Sequence, residues 1–143
     1  MVILYTFFGF VCIIKKVVNV KKIVNCKLKI KRVIDKKEET SVIEGKGYYS
    51  DKNGEIIVFF SGDGVNYKYI WNKGIVTILC NDSCYKFEVN VKREGIIKSD
   101  DYSLEIITLA SKIELSNNCI IVNYSLYQQK SLIGHYYSEL SFS

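Results

Sequence analysis

From Val24 onward, apolar and polar residues alternate with a period of two over most of the chain. In VNCKLKIKRVI, Val24, Cys26, Leu28, Ile30 and Ile34 fall on one face, and Asn25, Lys27, Lys29 and Lys31 fall on the other. That is the mark of a strand with one buried and one wet side, because successive side chains of an extended chain point to opposite faces. The segments SVIEGKGYY, EIIVFFS, VNYKYIW, GIVTILC, YKFEV, LEIITLASKIELS, CIIVNYSLY and LIGHYYSELSF extend the series. Short polar stretches separate them: DKKEET, SDKNG, SGDG, NKG, CNDSC, then REG and SDDYS, and finally QQKS. Asn53–Gly54 and Asn117–Asn118 supply residues that tolerate the positive φ of a tight hairpin. The best helix candidate, SLEIITLASKIEL, is weakened by its β-branched Ile106, Ile107, Thr108 and Ile113. Nine or ten short strands joined by hairpins predict an all-β fold built as a single antiparallel meander. Closure into a barrel of about eight to ten strands would remove the exposed edges of such a sheet.

Composition narrows the picture. A chain of 143 residues is the size of one domain with one core. It has no proline, eleven tyrosines and seven phenylalanines, which suits pleated, half-buried strands. The net charge of +5 hides a split: residues 15 to 37 carry +9 and residues 38 to 143 carry −4. Strand alternation explains Lys27, Lys29 and Lys31 as a solvated face. The same row is the candidate surface for nucleic acid or an acidic protein partner. The run from Met1 to Ile14 lacks charge and is shorter than the roughly twenty apolar residues a membrane-spanning helix needs. It also lacks the charged lead and small-residue cleavage site of a signal peptide. No transmembrane span is predicted. Residues 1–19 are therefore expected to be an apolar and basic extension ahead of a barrel domain at 20–143. Two readings of the run stand: a short membrane-associating segment, or a mis-assigned start, since Met1 is the only methionine and the strand pattern begins near Val20.

The order of features from Cys26 to Phe142 resembles the YwiB-like family of small bacterial proteins of unknown function. The resemblance is carried by GKGYY with the following NGEIIVFF, by YKYIWNKGIVTIL, by FEVNVKREG, and by VNYSLY with LIGHYYSELSF. It rests on the succession of hairpins and covers about four fifths of the chain. SDDYS departs from the proline and glycine turn expected there, and Met1 to Ile14 lies outside the match. The resemblance implies a calycin-like or lipocalin-like β-barrel and supplies no chemistry.

Candidate chemistry is sparse. The single histidine, His135, falls with Ile133, Tyr137 and Glu139 on the wetter face of the last strand, opposite Leu132, Tyr136, Leu140 and Phe142. Asp100 and Asp101 are adjacent, so their side chains diverge. SGDG joins two strands and opens no helix, unlike a phosphate loop. No catalytic residue, metal-ligand set or cofactor is predicted, which argues against an enzyme. Five cysteines without regular spacing fit no disulfide framework and point to a reducing, cytoplasmic setting. CNDSC separates Cys80 and Cys84 by three residues, with no second pair and no helix, unlike a zinc or redox motif. The register expected there sets Cys80 against Tyr85, Ile78 against Phe87 and Val76 against Val89, with Cys80 inward and Cys84 on the opposite face. The remaining feature is Tyr67, Tyr69 and Trp71 on one face of VNYKYIW. In a closed barrel such a series fills the interior or lines a cavity for one small ligand. The predicted function is non-catalytic binding of a small apolar, amphipathic or lipid-like ligand. The alternative is an adaptor that meets nucleic acid or an acidic partner through Lys27, Lys29 and Lys31.

Overall fold

The computed structural model describes residues 2–7, 10–16 and 19–143, with side chains from Lys21 onward. Met1, on which the expected start turns, lies outside the described residues. Strands β1 (Val2–Phe7) and β2 (Phe10–Lys16) pair with each other as a two-stranded sheet. The next ten strands close into a barrel: β3 (Asn19–Ile34), β4 (Lys37–Lys52), β5 (Glu55–Gly62), β6 (Val65–Asn72), β7 (Ile75–Cys80), β8 (Ser83–Phe87), β9 (Lys92–Lys98), β10 (Ser103–Ser116), β11 (Cys119–Gln128) and β12 (Ser131–Phe142). Each pairs antiparallel with its successor, and β12 returns to pair with β3. The meander and its closure are as the hairpin series predicts.

Turn chemistry sets the register. Asp35–Lys36, Asn53–Gly54, Asp63–Gly64 and Lys73–Gly74 all have positive φ at both residues, the two-residue turn whose twist matches its flanking strands. DKKEET is therefore shorter as a turn than expected. Only Asp35 and Lys36 turn the chain, and Lys37 to Thr40 continue β4 opposite Ile34 to Lys31. Neither face is buried there, so apolar alternation gave no signal. REG is also not a break. Arg93 to Gly95 lie within β9, and the chain bends at 88–91, where Asn90 has φ 62°. Gly95 marks a close approach: a Cβ there would lie 2.7 Å from the Cys84 carbonyl oxygen.

In the CNDSC hairpin the register is two residues tighter than expected. Cys80 pairs with Ser83, Ile78 with Tyr85 and Val76 with Phe87. A two-residue loop at Asn81–Asp82, with Asn81 at φ 51°, replaces the longer loop. A slip of two preserves the faces, so Cys80 still looks inward and Cys84 outward. Both thiols are free.

Val58, Phe60, Val76, Phe87, Ile120, Val122 and Leu140 are fully buried and fill the middle of the barrel. Burying one such side chain stabilises the fold by roughly 1.5–3 kcal/mol. The turns Asp35–Lys36, Asp63–Gly64, Asn81–Asp82 and Gln129–Lys130 lie at one end, called the upper mouth. Asn53–Gly54, Lys73–Gly74 and Asn117–Asn118 lie at the lower one.

Candidate functional site

The inward face of β3 runs Val24, Cys26, Leu28, Ile30 and then Arg32. The first three are buried, and Ile30 packs against the same core. Strand parity thus carries a guanidinium into the upper mouth. Its neighbours follow from register: Glu39 on β4, Tyr136 on β12, Tyr124 on β11 and Ala110 on β10 form one row across the sheet. Tyr124 and Tyr136 stack with ring centroids 5.0 Å apart and planes 6° from parallel. Phe87 also packs on Tyr124, with centroids 4.5 Å apart and planes tilted by 52°. Such cross-strand aromatic pairs hold their rings in place.

Arg32 is only half satisfied. Its Nη2 donates to Ser41 Oγ at 3.0 Å, and Glu39 Oε2 lies 3.9 Å from the same nitrogen. Both charged side chains of that pair are partly exposed, so it contributes little. Arg32 Nε is buried and has no hydrogen-bond partner. An unmet buried donor costs about 1–3 kcal/mol. The cavity at this mouth, lined by Arg32, Ile34, Asp35, Lys37 and Glu39, measures about 280 Å³.

Three further phenols reach this half of the interior. Tyr67 and Tyr69 come from β6 and Tyr85 from β8, and Phe60 stacks on Tyr67 at 4.9 Å. Ser138 Oγ donates to the Val122 carbonyl at 2.8 Å. Burial raises all five phenols above their ordinary value, Tyr85 to about 12. The positive charge of Arg32 partly offsets that rise at Tyr124 and Tyr136. These phenols stay protonated at neutral pH and can donate hydrogen bonds. Burial also pushes the Cys26 thiol up to about 11, leaving it a poor nucleophile.

The residues singled out by sequence therefore separate. Tyr67 and Tyr69 lie among the inward phenols, near Tyr85 and Tyr124, whereas Trp71 lines a separate cavity of about 560 Å³ toward the lower mouth with Gly74, Glu88, Val89, Ile113 and Leu115. The sequence reading passed over Arg32, Tyr85 and Tyr124 as site residues, and it counted Tyr136 only as core. Parity was the available signal: Arg32 occupies an even position in a strand whose even positions face the core.

Lys27, Lys29 and Lys31 point outward, each framed by neighbours that dilute the charge. Lys27 pairs across to Glu44 and Ser141, and Lys29 to Val42 and Glu139. Lys31 contacts Glu38 at 2.6 Å and lies over the Tyr137 ring, 5.4 Å from its centroid. His135 is exposed and its Nδ1 meets Ser125 Oγ at 2.8 Å. Among the described residues, no three His, Cys, Asp or Glu side chains converge as a metal site would require. Among them, too, no helix is long and apolar enough to cross a membrane.

No protein-family model matches the sequence, and no curated protein matches it. The structure is similar to the crystal structure of the ywiB protein from Bacillus subtilis, with a TM-score of 0.67 and 12% sequence identity over 86% of this chain and 93% of that one. The ten-stranded barrel described above is therefore a YwiB-like fold.

Proposed function

We propose that the barrel binds a small amphipathic ligand at its upper mouth, without catalysis. The observation that carries this reading is a half-satisfied arginine that lines an open cavity of about 280 Å³ and has the inward phenols of Tyr124 and Tyr136 close enough to feel its charge. A core evolved only for packing has no need of so many polar tips, since each one requires a partner once buried. Tyr67, Tyr69, Tyr85, Tyr124 and Tyr136 offer flat apolar walls with donors at their ends, which suits a ligand with an apolar body and a polar head. Trp71, at the other end, lines a separate cavity and stands apart from this proposal. Native mass spectrometry of gently purified protein, followed by tyrosine-labelled NMR with an aromatic probe, tests the reading. Shifts confined to the five inner tyrosines support it. A probe that moves only the outward Tyr48 and Tyr137, or nothing, removes it.

The second reading, contact with nucleic acid or an acidic partner through Lys27, Lys29 and Lys31, draws its support from the unbroken outward row of lysines. The adjacent Glu38, Glu44 and Glu139 weaken that row as a continuous positive surface. Binding that collapses with added salt and disappears when all three lysines become glutamates would favour it over the mouth.

A further inference from the structure

We infer that the ligand's polar head is a carboxylate, seated on the Nε edge of Arg32. This rests on the reading of the upper mouth as a ligand site and names the chemistry the site selects. A guanidinium binds a carboxylate most specifically through two parallel N–H donors, and here Nη2 already turns toward Ser41 while Nε is left without a partner. A carboxylate oxygen reaching Nε would satisfy a donor that no protein group meets. Tyr136, directly across the row from Arg32, and Tyr124 beside it carry phenols that remain protonated and can donate to the second oxygen.

Charge at the mouth decides between anions. Its lining offers Arg32 and Lys37 against Asp35 and Glu39, so the site as a whole is balanced. A head carrying a single negative charge fits this balance. A phosphate monoester, which carries about −1.5 to −2 at neutral pH, would face Asp35 and Glu39 without enough positive charge to offset them. Glu39 Oε2 at 3.9 Å is the carboxylate already nearest the guanidinium, at a distance too long for a hydrogen bond. The incoming head would replace it. With about 280 Å³ available between Arg32, Ile34, Asp35, Lys37 and Glu39, the body is a single aromatic ring or a short chain resting on Ile34.

The test uses the full chain and three matched probes: phenylpropanoate, its neutral amide, and phenyl phosphate. Calorimetric titration should show the acid binding at least about tenfold more tightly than the amide, the gap expected from a charge-assisted pair. It should also bind more tightly than the phosphate. The Arg32 Nε–H resonance should move on adding the acid and stay in place with the amide. Arg32→Met should erase the preference for acid over amide, and if that variant fails to fold, the Nε–H resonance in the natural chain decides the matter. Equal binding of acid and amide overturns the carboxylate while leaving the ligand barrel standing. Tighter binding of phenyl phosphate overturns it in favour of a more highly charged head. If no probe disturbs the inner tyrosines, the ligand barrel falls as well.

Discussion

Position 32 shows a single residue set against its strand's pattern. Every other inward position of β3 from Val24 to Ile30 is apolar, and parity then places a guanidinium where a core side chain belongs. A buried Nε without a partner is unfavourable for folding alone, so Arg32→Met is expected to leave stability unchanged or raise it by up to about 3 kcal/mol. Chemical denaturation checks this, and a clear loss of stability would assign Arg32 a structural role instead. Glycine at 47 carries the opposite expectation. A Cβ there would be driven into the Phe59 carbonyl, and one on Gly45 into the carbonyl of Ser61, because β5 folds closely over β4 at this corner. Gly47→Ala should cost more than about 2 kcal/mol in urea unfolding. GKGYY was legible in the sequence as part of a strand, yet the reason for its glycines was not. A strand's own residues do not report which carbonyl will press against them.

Among the elements, the seam between β8 and β9 differs from the rest. Their ladder is reduced to one pair, Cys84 with Ile96, whereas β3 and β4 pair along sixteen residues each. Side chains bridge the gap. Ser83 Oγ accepts from Lys98 N–H at 2.9 Å and donates to the Lys98 carbonyl, and buried Thr108 donates its hydroxyl to the Lys86 carbonyl. Ser83→Ala and Thr108→Val should each cost about 1–3 kcal/mol. In hydrogen exchange both should speed opening of β8 and β9 before β3 and β4; uniform protection around the barrel would refute the weak seam. Sequence alternation read YKFEV as a strand and REG as a break in the pattern, and the seam lies between those two segments. Alternation could not show that β9 continues through Gly95, because Lys92, Arg93 and Glu94 interrupt the apolar alternation even though all three pair with β10.

On the scale of the whole molecule, the phenol cluster ties stability to alkaline pH. Burial raises the Tyr85 phenol from 10.0 to about 12, and Tyr67, Tyr69, Tyr124 and Tyr136 also rise. The unfolded chain releases these protons from about pH 10 while the barrel retains them. The stability they provide is full below pH 10 and is lost as pH rises toward 12. Urea unfolding across that range, with phenolate absorbance followed alongside, should show the inner tyrosines ionising only as the barrel opens; early ionisation in the folded state would contradict it. The strands and the hairpin meander were legible in the sequence, because period-two burial and turn residues are local properties of the chain; closure was expected from the need to cover sheet edges. The sequence also placed Tyr67 and Tyr69 inward. Only the tertiary structure brought Arg32 of β3 together with Tyr85, Tyr124 and Tyr136 of β8, β11 and β12. These residues lie far apart along the chain and share a mouth only because β12 returns to pair with β3, so their meeting depends on barrel closure and the register it imposes.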